Sequence, residues 1–218
     1  MSRPPDGGAT GVAAVAEAER FLRNVDPVLR GLIKEAGPCT LGTPTPGSVY
    51  RTLARAIVFQ QLAGRAASVI HARFVAAIGG KVTPQAVLAT PFDTLRGAGL
   101  STAKANSLID LAVAHGDGRV KPRQIPSMSD DEVVDHLVSV RGIGRWTAEM
   151  FLMFHLGRLD VWPTGDLGVR NGYGKAWSLQ ATPTAKELEP IGDRFRPYRS
   201  VVAWYCWAAV EISPPSGW

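Results

Sequence analysis

Alternating β-branched runs are almost absent from this chain, while helix-starting signals recur along nearly all of it. That combination restricts the fold to helices packed on helices. Helical character begins at about Ala16. Over 48–62, Val49, Leu53, Ile57 and Leu62 fall on or near one helical face. A second helix is expected over 65–78. Thr83-Pro84 reads as an N-cap with proline at the first helical position, and Ser101 opens a helix to His115. Ser129 with Glu132 three residues later is a capping box, opening a helix to Val140. Further helices are expected over 145–156, from Asp166, from Thr182-Pro183 and over 198–211. The expected class is all-α, with about ten helices.

Residues 1–15 carry Gly, Pro, Ala and Ser without periodicity and read as a flexible tail. No apolar run approaches the roughly 20 residues a membrane span needs. The N-terminus has no apolar signal-peptide core, so a cytoplasmic protein is expected. The two cysteines, Cys39 and Cys206, are too few for a zinc site or an iron–sulfur cluster. They read as buried free thiols. His71, His115, His136 and His155 are scattered, with no spacing for zinc or a nucleophilic triad. The chain carries 24 Lys+Arg against 19 Asp+Glu, and most of the cations are Arg. A basic balance favours a polyanionic partner.

Arg141-Gly142-Ile143-Gly144-Arg145-Trp146-Thr147-Ala148 joins two helices through a Gly-x-Gly turn. Ile143 tucks between the helices. The first amides of the second helix have no intrahelical acceptor, and the helix dipole favours an anion there. Gly142, Gly144, Arg145, Trp146 and Thr147 thus form a candidate phosphate-binding hairpin that would read no base sequence. The competing explanation is a packing turn with glycines for steric reasons alone. Arg96–Ala103 repeats the pattern and reads as a second use of the same turn geometry.

Val140–Ala148, followed by Asp160-Val161-Trp162-Pro163-Thr164-Gly165-Asp166-Leu167-Gly168-Val169-Arg170, resembles the helix-hairpin-helix (HhH-GPD) glycosylase superfamily. More narrowly it is similar to the AlkA-type 3-methyladenine DNA glycosylases, in a short form lacking their N-terminal β-rich domain. The hairpin, a Gly/Pro-rich loop at 163–165 and Asp166 come in the family's order. Phe59-Gln60-Gln61-Leu62 and Arg196-Pro197-Tyr198-Arg199-Ser200 with Trp207 extend the match over about residues 20–211.

The resemblance implies a glycosylase domain over 16–214. One lobe would span about 48–160 and the other 16–47 with 161–214, with the DNA and base cleft between them. It implies base excision repair of alkylated bases in double-stranded DNA by a monomer without cofactor, associated with the nucleoid through its DNA. Asp166 is the implied catalytic carboxylate, and N-capping is its ordinary alternative. Bifunctional members use a Lys at the position of Trp146, so a monofunctional enzyme leaving an abasic site is expected. Trp146, Trp207, Met150 and Leu167 are the implied base pocket. Met150 and Leu167 stand where some relatives have Tyr. Leu62 is the implied wedge, with a plain core leucine as its alternative, and Gln60 and Gln61 contact the site or the opposing strand. A monovalent cation held by hairpin carbonyls is implied by the family alone. Three alternatives stay open: a glycosylase for a deaminated, oxidised or mismatched base, a non-catalytic sensor of DNA damage, and an all-α protein-interaction module.

Overall fold

The structure, a computed structural model, describes residues 11–45, 47–62 and 64–211. Twelve α-helices and no strand occur among the described residues. They are α1 (Gly11–Val25), α2 (Pro27–Ala36), α3 (Val49–Phe59), α4 (Gly64–Ala77), α5 (Pro84–Ala89), α6 (Phe92–Gly97), α7 (Thr102–Gly116), α8 (Asp130–Val138), α9 (Arg145–Met150), α10 (Leu167–Ala176), α11 (Ala185–Ile191) and α12 (Arg199–Ala209). No helix among the described residues is long and apolar enough to cross a membrane.

The chain divides into two compact units. One takes its described residues from Met1–Pro44 and Leu156–Pro214, the other from Thr45–His155.

In the first unit, α1, α2, α10, α11 and α12 enclose Leu22, Leu29, Ile33, Val169, Phe195, Val201 and Tyr205, all buried. Each such side chain contributes on the order of 1.5–3 kcal/mol by leaving water. The crossing of α10 and α12 depends on Gly172. A Cβ there would lie 1.8 Å from the Cys206 carbonyl oxygen, so only glycine permits this approach. The segment before α10 is tied to the start of α12. Arg199 pairs with Asp160 through Nε at 2.8 Å, and the Val161 amide donates to Ser200 Oγ at 2.9 Å. Trp162 fills the space left by Gly192, where a Cβ would lie 2.5 Å from its Nε1. Its indole N–H donates to the Leu188 carbonyl at 3.0 Å, which makes it a core residue.

In the second unit, α7 is flanked by α3, α5 and α6. Leu53, Ile57, Ala105, Leu108, Leu111, Leu137 and Phe151 are buried here. Helix α9 runs on into a π-helical turn, Phe151–His155.

Several helix ends differ from the sequence expectation. Helix α1 starts at Gly11, so residues 11–15 are helical rather than part of a tail; the remainder of that tail lies outside the described residues. Helix α3 stops at Phe59 because Gln60 is extended (ψ 133°) and Gln61 is left-handed (φ 55°), which removes Leu62 from the helix. Thr184, not Thr182, caps α11, because only Thr184 has a glutamate three residues on to close a capping box. The two Gly-x-Gly turns do not share one geometry. The left-handed residue is the second glycine in the first turn, Gly99 (φ 97°), and the first in the other, Gly142 (φ 80°). The caps expected at Thr83, Ser101 and Ser129 are all present.

Candidate active site and nucleic-acid interface

Asp166 ends the turn that begins at Pro163, whose carbonyl accepts the Asp166 amide at 2.9 Å. It is the N-cap of α10. Its Oδ1 accepts the Val169 amide at 2.8 Å and the indole N–H of Trp207 at 3.0 Å. Burial pushes the Cys206 thiol upward, and the negative charge of Asp166 adds to that rise. Gly168 keeps the arrangement open, since a Cβ there would lie 2.9 Å from Trp207 Cδ1 and 3.1 Å from Asp166 Oδ1. Asp166 is 9% exposed and Trp207 1%, whereas Leu167, the next residue, is 57% exposed. A carboxylate with a narrow opening to solvent, beside an uncovered apolar side chain, can stabilise a cation in a neighbouring ligand.

In the second unit, the hairpin turns at Gly142, and its glycine is obligatory. The backbone is left-handed, and a Cβ would lie 2.2 Å from Ser107 Oγ. Gly144 differs, because a Cβ there meets nothing within 4 Å. Gly144 is the N-cap of α9 and offers no capping side chain. The helix's own hydrogen-bond ladder starts at the Ala148 amide, which donates to Gly144 O at 3.1 Å. The approach to the start of α9 is therefore sterically open at Gly144. By contrast, Ser101 caps the start of α7 with its own side chain.

Three neighbours brace this hairpin. Gln60 Nε2 donates to Gly142 O at 3.0 Å and to Thr147 Oγ1 at 3.3 Å. Asp110 Oδ2 accepts the Arg141 amide at 2.7 Å. Arg119 pairs with Asp110 at 2.9 Å and holds that carboxyl below its usual range. Arg145 is exposed and pairs with the buried Glu149 at 2.9 Å, one helical turn on. Gly142 O, and Val140 O, which accepts the Ile143 amide, each keep a second lone pair.

A model of the HhH-GPD superfamily of base excision DNA repair proteins matches residues 54–197, a span that contains both the hairpin and Asp166. The chain belongs to that superfamily. Among HhH-GPD relatives, the Schizosaccharomyces pombe alkylbase DNA glycosidase-like protein mag2 is 33% identical over 200 residues, covering 89% of this chain and 93% of its own. DNA-3-methyladenine glycosylase 1 from the same organism is 32% identical over 206 residues, covering 93% and 90%. The solved structure of S. pombe Mag1 in complex with abasic DNA superposes with a TM-score of 0.75 at 32% identity, covering 90% of this chain and 98% of that one.

The structure places the residues of the HhH-GPD pattern in different ways. Trp207 is on Asp166 itself rather than on an open face, and Leu167 is beside it. Trp146 is 37% exposed on the first turn of α9. Met150, expected in the base pocket, is fully buried; it lies one turn along α9 on the side facing the core and offers no surface to a ligand. Thr147, expected to face a phosphate, has its hydroxyl buried and engaged by Gln60. Gln60 itself is an internal brace of the hairpin, while Gln61 is exposed and Leu62 half-buried.

Ser107 and Asp110, which lie against the hairpin, are not among the residues the sequence singles out. Their only sequence signal is a spacing of three along a capped helix, too common to be read without coordinates. Both cysteines are free and buried, and burial pushes the Cys39 thiol up to about 12. His155 is buried against Phe151 and bonded to Thr52. No cluster of His, Cys, Asp and Glu suited to a metal occurs among the described residues.

Proposed function

We propose that this HhH-GPD protein is a monofunctional DNA glycosylase that removes alkylated bases of the 3-methyladenine type from double-stranded DNA. The observation that carries the reading is Asp166. It is a carboxylate with restricted access to solvent, held by the Val169 amide and the Trp207 indole, and it lies within the span that the superfamily model matches. The relatives named for 3-methyladenine and alkylated bases support the substrate class.

The reaction breaks the bond between C1′ of the sugar and the base nitrogen. The bonding electrons leave with the base. A base alkylated on its ring carries a positive charge and departs neutral, so it needs little acid assistance. Positive charge grows on the sugar ring, and the Asp166 carboxylate stabilises it. Water then attacks C1′ and gives a proton to Asp166, leaving a hydroxyl at an abasic site. Trp146 occupies the position at which bifunctional members carry a nucleophilic Lys, and a tryptophan forms no Schiff base. The strand therefore stays intact. The start of α9, open at Gly144, takes a DNA phosphate, and Arg145 adds its charge. Leu62, on the turn after α3, enters the gap that the flipped base leaves. Leu167, beside Asp166, offers exposed apolar surface to the base.

Mass analysis of the bases released from methylated genomic DNA tests this reading. Release of 3-methyladenine and related alkylated bases, with the strand uncut, is the expected result. A spectrum limited to deaminated or oxidised bases from suitably damaged DNA would move the substrate class. Tight binding to abasic DNA with no base released from any damaged DNA would make the protein a sensor rather than an enzyme.

A further inference from the structure

Helix α3 ends immediately before the turn that carries Leu62, and that end is held from outside. Lys104 Nζ donates to Val58 O and to Gln60 O, each at 2.8 Å. The first carbonyl belongs to the last turn of α3 and the second to the residue beyond it. An ammonium at a helix C-terminus meets both the unsatisfied carbonyls and the negative end of the dipole. The next residue, Gln61, is left-handed (φ 55°) without being glycine, a conformation that persists only where the surroundings impose it.

The same helix also sets the hairpin. Ser101 caps α7 by accepting the Lys104 amide at 3.2 Å, which fixes the backbone from which the lysine reaches out. Ser107 lies under Gly142, and Asp110 holds the Arg141 amide. Positions 104, 107 and 110 follow at intervals of three and so lie on one side of α7. Gln60 joins the two ends, because its carbonyl is held by Lys104 and its side chain by Gly142 O and Thr147 Oγ1.

We infer that Lys104 is a positioning residue for base flipping, holding the turn that carries Leu62 in register with the phosphate-binding hairpin. The inference rests on the reading of Leu62 as the wedge. Lys104 touches no substrate; it acts through backbone carbonyls. A lysine that merely stabilised α3 would affect every substrate alike. One that aims the wedge matters most when a stacked base must be extruded.

The test compares single-turnover release of bases from methylated genomic DNA, native and heat-denatured, by wild type, Lys104→Met, Leu62→Ala and the double variant. Lys104→Met keeps the apolar stem and removes both hydrogen bonds. It is expected to slow release from native DNA about tenfold. Release from denatured DNA, where no stacked pair must open, should stay within about twofold. The double variant should be no slower on native DNA than Leu62→Ala alone, because the two act through one step. Wild-type release from native DNA by Lys104→Met overturns the inference. So does an equal loss on both DNAs, which would mark a purely structural role. Leu62→Ala releasing bases from native DNA at the wild-type rate overturns the wedge reading, and the inference with it.

Discussion

The indole N–H of Trp207 donates to Oδ1 of Asp166 at 3.0 Å, from a ring that is almost wholly buried. Tryptophan here does more than fill space. It fixes the rotation of a carboxylate that also caps α10. Trp207→Phe keeps most of the ring volume and deletes this donor. A hydrogen bond to a charged group contributes about 1.5–3 kcal/mol, so the excision step is expected to slow about tenfold to a hundredfold. Single-turnover kinetics with abasic-DNA affinity measured in parallel check this. Unchanged rates would show that the indole does not orient the carboxylate.

Gly142 and Ser107 are coupled by contact. Gly142→Ala places a Cβ 2.2 Å from Ser107 Oγ on a left-handed backbone. A loss of about 1–3 kcal/mol in stability is expected from the overpacking and strain. Adding Ser107→Ala should recover part of it, because among the described residues Ser107 Oγ and Cβ are the side-chain atoms within 4 Å of that Cβ. Denaturant unfolding of the two single variants and the double reports the coupling.

Gly144 has open space at its Cβ. Gly144→Glu is therefore expected to fold normally and to weaken binding to all DNA sequences alike, because a carboxylate would stand where a phosphate docks. The slope of affinity against salt should also become shallower. Unaltered affinity would remove the phosphate from the hairpin.

Burial lowers the pKa of His155, so the folded state favours the neutral ring. Between that lowered value and the ordinary 6.5 the unfolded chain binds more protons than the folded one. The stability contributed by the neutral ring is fully present above about pH 6.5 and is lost as pH falls through the folded value. Melting temperature should decline on acidification from pH 7 to pH 5, and less steeply in His155→Gln. Parallel slopes for both proteins would contradict this.

Much of the fold was legible because helix ends are written locally. Ser129 with Glu132 states a helix start in four residues, and Thr83-Pro84 in two; both held. The end of α3 is not legible, because its last carbonyls meet Lys104, forty-six positions away from Val58 along the chain. The candidate site divides in the same way. Asp166 and the hairpin were visible as motifs. The inward direction of Met150 and Thr147, and the role of Gln60 as a brace, depend on which face of each helix meets the core. The repeat of Gly-x-Gly suggests one turn geometry, yet the left-handed residue is the second glycine, Gly99, in one turn and the first, Gly142, in the other.

The central claim is that the charge of Asp166 drives the reaction. Asp166→Asn isolates it, since the side-chain oxygen can still accept from Val169 and Trp207 while the negative charge is gone. Single-turnover base release from methylated DNA, measured beside affinity for abasic DNA, is the direct test. The account predicts a loss of about thousandfold or more in release with binding near wild type. Release by Asp166→Asn at a rate close to that of the wild type would contradict it.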